Sequence, residues 1–75
     1  MDYLEAQSLL KLKGISVSKS ILAGKDGDVT NGLYSDSPPL LSDKRMAAIK
    51  EVLGDGWNVY FLPNLAEIHI KKKYE

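Results

Sequence analysis

Glycine and proline interrupt this 75-residue chain so often that its longest unbroken segments are residues 1–13 and 40–53. Each piece is the size of one short helix or one strand, because proline removes a backbone donor and glycine weakens the interior of either element. No apolar run approaches the ~20 residues of a membrane span. The start MDYLEAQ lacks the basic and apolar regions of a secretory leader. The expectation is a cytoplasmic protein, without a membrane segment, forming a single domain over residues 1–75.

The pieces themselves have readable periods. DYLEAQSLLKLK consists of strong helix formers, Asp2 precedes Glu5 with capping-box spacing, and Gly14 is placed to stop the helix. At about 100° per residue, Tyr3, Ala6, Leu9, Leu10 and Lys13 share one face. Leu4 and Leu12 fall on the other side, so this helix has more apolar surface than one contact requires. SDSPPLL reads as an extended linker, because its prolines restrict their neighbours. Ser42 is a suitable N-cap for DKRMAAIKEVL, in which Met46, Ile49, Val52 and Leu53 form one stripe and Lys44, Lys50 and Glu51 lie outside it. Gly54-Asp55-Gly56 ends that helix. WNVYFL and AEIHIKKKY then alternate as two strands around Pro63-Asn64. Trp57, Val59, Phe61, Ile68 and Ile70 take one face; Asn58, Tyr60, Glu67, His69, Lys71 and Lys73 take the other.

The segment ISVSKSIL admits two readings. Ile15, Val17, Lys19 and Ile21 recur at period two, which suits a half-buried strand, and VTNGLYS would return beside it after the turn AGKDGD. Asn31-Gly32 suggests a bulge or an early end to the second strand. Alternatively Ser18 caps a short helix, SKSILAG. The hairpin is preferred, because the alternation is continuous and Gly24 would leave the helix barely two turns long. The expected fold is then α+β, with the order α-β-β-α-β-β and an antiparallel sheet carrying two helices on one face. The weak succession of helix and hairpin occurs twice.

The helical alternative carries a resemblance. YLEAQSLLKLKGISVSKSI resembles the first helix-turn-helix of excisionase-type winged domains, in which an E-A-x-x-L-L run precedes a G-[VI]-S turn and a recognition helix. The resemblance covers about 20 residues. It implies that Ser18, Lys19 and Ser20 open a helix facing the DNA major groove, with Lys25 nearby. That helix would carry one cation before Gly24, and Asp26 and Asp28 would stand where phosphates lie.

Most chemistries lack their residues. With no Cys and one His there is no disulfide framework, thiol nucleophile, thiolate site or histidine cluster, so neither a metal nor a cofactor is expected. A calcium loop counted from Asp26 would need Gly sixth and Glu twelfth, but Asn31 and Ser37 stand there. The Gly54-Asp55-Gly56 run follows a helix and precedes a strand, the reverse of a dinucleotide-binding turn. Any serine nucleophile would depend on His69, which the strand reading places on a solvated face between Glu67 and Lys71. No enzyme is expected.

Two function classes follow. The first is a non-enzymatic protein-binding module, an accessory, adaptor or inhibitor that covers another protein through Leu4, Leu12, Tyr60 and His69. A sheet edge able to accept a strand and a homodimer through Leu4 and Leu12 belong to this reading. The second is a small DNA- or RNA-binding regulator using Ser18, Lys19 and Lys25 with the basic strand Lys71, Lys72 and Lys73, beside Tyr60, His69 and Tyr74. Ten Lys+Arg balance ten Asp+Glu, which disfavours a strong sequence-independent hold on phosphates.

Overall fold

A computed structural model describes the backbone of residues 1–23 and 29–73 and the side chains of residues 1–19 and 32–73. The elements are α1 (Tyr3–Leu12), β1 (Ser18–Ala23), β2 (Val29–Asp36), a 3-10 turn (Pro39–Leu41), α2 (Ser42–Leu53), β3 (Trp57–Leu62) and β4 (Glu67–Lys72). All strand pairs are antiparallel, in the spatial order β1-β2-β4-β3. The expected α+β order is therefore present as two α-β-β units joined along β2 and β4.

The helix stops act as their residue types predict. The Asp2 side chain accepts a 2.8 Å hydrogen bond from the Glu5 N–H and so caps α1. Gly14 and Gly54, at φ 78° and 81°, adopt the left-handed backbone that ends α1 and α2. Ser18–Ala23 is a strand, so the recognition helix implied by the excisionase resemblance is replaced by β1. The strand begins three residues later than Ile15.

Three local expectations change. β2 runs through Asn31-Gly32 without a bulge, because Ile21, Ser20 and Lys19 pair in unbroken succession with Asn31, Gly32 and Leu33. Glycine serves a different purpose there: a Cβ on Gly32 would lie 3.3 Å from the Ile70 carbonyl oxygen and 3.4 Å from Lys71 Cγ. The SDSPPLL segment is only partly a linker. Ser35 and Asp36 complete β2, and Pro39, whose fixed φ suits a helical first position, starts the 3-10 turn. Ser42 is accordingly a helical residue of α2 and not its N-cap; its hydroxyl donates to the Pro39 carbonyl at 2.9 Å.

One sheet face carries the core. Leu33 and Ile70 are opposite each other, as are Ser35 and Ile68, while Val59 and Phe61 continue these rows onto β3. Ala6 and Leu10 of α1, Ile49 and Leu53 of α2, Val17 and Trp57 close over them. The expected stripe of α2 is the buried one, with Met46 and Val52 packed at its margin. On α1 the stripe is narrower than its sequence suggests, since Leu9 is 38% exposed.

Tyr3 connects α1 to the sheet where the β2–β4 ladder ends. Its ring meets Trp57 edge to face at 5.3 Å, Lys72 Nζ lies 5.1 Å from its centroid, and its hydroxyl accepts a 3.1 Å bond from the Lys72 N–H. The hydroxyl thus takes the place of the next rung, for the ladder stops at Leu33 and Ile70.

Two outcomes follow for stability. Leu10→Ala should cost about 2–4 kcal/mol through a cavity under α1, whereas Leu12→Ala should change stability by less than about 0.5 kcal/mol, both read from urea denaturation. Tyr3→Phe removes the acceptor for the Lys72 N–H, and a loss of about 1–2 kcal/mol is expected in the same assay.

Candidate protein-binding surfaces

The residues singled out from sequence lie on separate surfaces. Leu4 and Leu12 are 72% and 82% exposed on the side of α1 turned away from the core. Tyr60 and His69 lie on the opposite face of the sheet, the one no helix covers.

Leu4 borders a groove between α1 and β1. Asp2, Tyr3, Leu4, Gln7, Lys19 and Leu33 line it, enclosing about 270 Å³. Gln7 holds the two walls together, its side-chain amide donating to the Val17 carbonyl at 3.1 Å. Lys19 enters this groove because it shares the inner face with its partner Leu33. Ser18, one residue earlier, pairs with Tyr34 on the outer face. Ser18 and Lys19, two of the three residues expected to open a recognition helix, therefore lie on opposite faces of the sheet. Lys25 lies outside the described residues.

On the outer face, cross-strand pairing sets Tyr34, His69 and Tyr60 in one row across β2, β4 and β3. The His69 ring stacks against Tyr34 at 6.1 Å and 27°, and against Tyr60 at 5.9 Å and 22°. Its Nε2 donates to Glu67 Oε1 at 3.0 Å, since a carboxylate offers only an acceptor. The expectation of an exposed His69 is corrected: the ring is 2% exposed, because a tyrosine covers each of its faces. His69 organises this face, and Tyr60 remains 36% exposed on it.

The three consecutive lysines do not form one basic patch. Lys71 lies on the outer face in the row of Asn58, whereas Lys72 lies on the inner face opposite Trp57, with its ammonium over Tyr3. Lys73 follows the end of β4 and is exposed, its N–H donating to the Gly56 carbonyl at 3.0 Å. Tyr74 lies outside the described residues. Asp36 and Glu67 flank the aromatic row on its other side.

Further apolar exposure appears where sequence reasoning did not look. Leu40 is 98% exposed, Leu41 44% and Leu65 56%. The Ser37 N–H donates to the Ala66 carbonyl at 2.9 Å, which holds the 3-10 turn beside the β3–β4 turn. The adjacency of prolines and leucines in SPPLL is the sequence signal for this exposure, and the linker reading passes over it.

Among the described residues, no group of three or more His, Asp or Glu is placed to hold a metal ion. No helix among them is long and apolar enough to cross a membrane. Comparison with protein-family models, curated proteins and solved structures finds no match to this chain.

The stacked row gives a direct test of whether His69 acts through its ring or its nitrogen. His69→Phe, which keeps both stacks and frees a Glu67 carboxylate that water can reach, should cost about 1 kcal/mol or less. His69→Ala should cost about 3 kcal/mol, measured by thermal unfolding.

Proposed function

We propose that this chain is a non-enzymatic protein-binding module, an accessory, adaptor or inhibitor-type protein that covers another protein's surface with the outward side of α1. The observation that carries this reading is the exposure of Leu4 and Leu12 above a core already closed by Ala6 and Leu10, both fully buried. Neither leucine belongs to the buried core or to the apolar residues packed against it. They stand two turns apart, about 12 Å along the helix axis, with the Leu4 groove beside them to receive a partner's side chain. The apolar payload of such anchors lies in what a partner can remove from water.

The geometry lends less support to nucleic acid. A base stacks on an open ring face, but Tyr34 and Tyr60 each turn one face to His69 and leave no flat aromatic platform across the sheet. Lys71 and Lys72 diverge to opposite faces, and Lys72 already lies over Tyr3.

A photo-crosslinking residue in place of Leu12, carried by the full chain in the cells that make it, tests the reading. A discrete protein adduct is expected at position 12, and it should vanish when Leu4→Glu is added. Absence of any adduct would contradict the proposal. So would tight binding of labelled duplex or single-stranded DNA or RNA at ~50 mM salt that collapses at ~200 mM, the signature of phosphate contacts.

A further inference from the structure

Among the described residues, β3 forms one edge of the sheet and pairs only with β4. The direction of its backbone groups follows from the turn before it. Lys73 N–H donates to the Gly56 carbonyl, so the Gly56–Lys73 pair is a hydrogen-bonded one. Alternation along an antiparallel ladder then directs the N–H and C=O of Asn58, Tyr60 and Leu62 to β4, and those of Trp57, Val59 and Phe61 outward. None of these outward groups has a hydrogen-bond partner among the described residues. Three donors and three acceptors stand in a row centred on Val59.

Soluble proteins usually guard such an edge with charge, proline or a bulge. β1, the other edge, carries Lys19. β3 has the sequence WNVYFL, with no charge and no proline, and it pairs with β4 residue for residue without a bulge. We infer that β3 pairs with β3 of a second copy of this chain, antiparallel about a two-fold axis at Val59.

The choice of a second copy rests on self-complementarity. About an axis at Val59, Trp57 lies opposite Phe61 of the other copy and Val59 opposite its own counterpart. All three donors and three acceptors on each edge then find partners, giving six hydrogen bonds. No like charges meet at the seam, since β3 carries none. Asn58 comes to lie opposite the half-exposed Tyr60 on the outer face. Joining two sheets of four strands produces one of eight. This inference deepens the protein-binding reading by naming a second surface and its occupant, and it leaves α1 free for a different protein.

Sedimentation of the full chain from ~10 μM to ~1 mM, with amide exchange measured at both limits, tests it. A monomer–dimer equilibrium is expected, with the Trp57, Val59 and Phe61 amides exchanging at least about tenfold more slowly at the high concentration. Val59→Pro removes a central outward donor that the monomer does not use, and it should abolish the dimer while circular dichroism retains the fold. If that variant does not fold, the wild-type amide measurement decides alone. A monomer at every concentration overturns the proposal. So does a dimer whose Val59 and Phe61 amides stay unprotected, or one abolished by Leu12→Glu. Any of these results leaves the α1 reading standing if the adduct at position 12 is captured, so the two failures are distinguishable.

Discussion

The pairing of β2 with β4 is the constraint on which the rest of this molecule depends. Only four residue pairs make it, from Leu33–Ile70 to Asp36–Glu67. Yet it brings together two α-β-β units that would each be too small to enclose a core. A lone hairpin under one helix exposes most of its apolar face, whereas four strands form a floor that two helices can cover. Leu33, Ile68 and Ile70, at the centre of that floor, are among the most deeply buried side chains. The same pairing places Tyr34 beside His69 and ends the ladder where the Tyr3 hydroxyl takes over, so it sets the outer aromatic row and the seat of α1 together.

Much of the local structure was legible in the residues. Lys19 and Ile21 of the period-two run lie in a strand that starts just after Val17; Gly14 and Gly54 stop their helices; Asp2 caps α1. The β3–β4 hairpin has the expected division of faces, with Trp57, Val59, Phe61, Ile68 and Ile70 inward. These features depend on neighbours a few residues away, where propensity and period are informative. The adjacency of β2 and β4 depends instead on contacts more than 30 residues apart in sequence, and no local pattern specifies which edge of one hairpin meets which edge of the other.

The site residues divide in the same way. The exposure of Leu4 and Leu12 follows from helical angle alone and was accessible to sequence reasoning. The burial of His69 was not, because one of its two covers comes from the other hairpin. Lys72 separates from Lys71 by strand alternation, a distinction obscured when three lysines are read as one charge run. The exposure of Leu40 is not legible from two prolines that suggest an extended linker, although a proline that opens a 3-10 turn can also hold its neighbour in solvent.

Residue-resolved hydrogen exchange under native conditions tests the central role of the β2–β4 pairing most directly. The hydrogen-bonded pairs are Leu33–Ile70 and Ser35–Ile68, in phase with the Ser37–Ala66 bond. If these rungs join the two units, the Leu33, Ser35, Ile68 and Ile70 amides exchange only through global unfolding, with the same free energy and denaturant dependence as Ile49 and Leu53 in α2. The account is contradicted if those four amides open at markedly lower free energy while α2 and the β3–β4 hairpin remain protected.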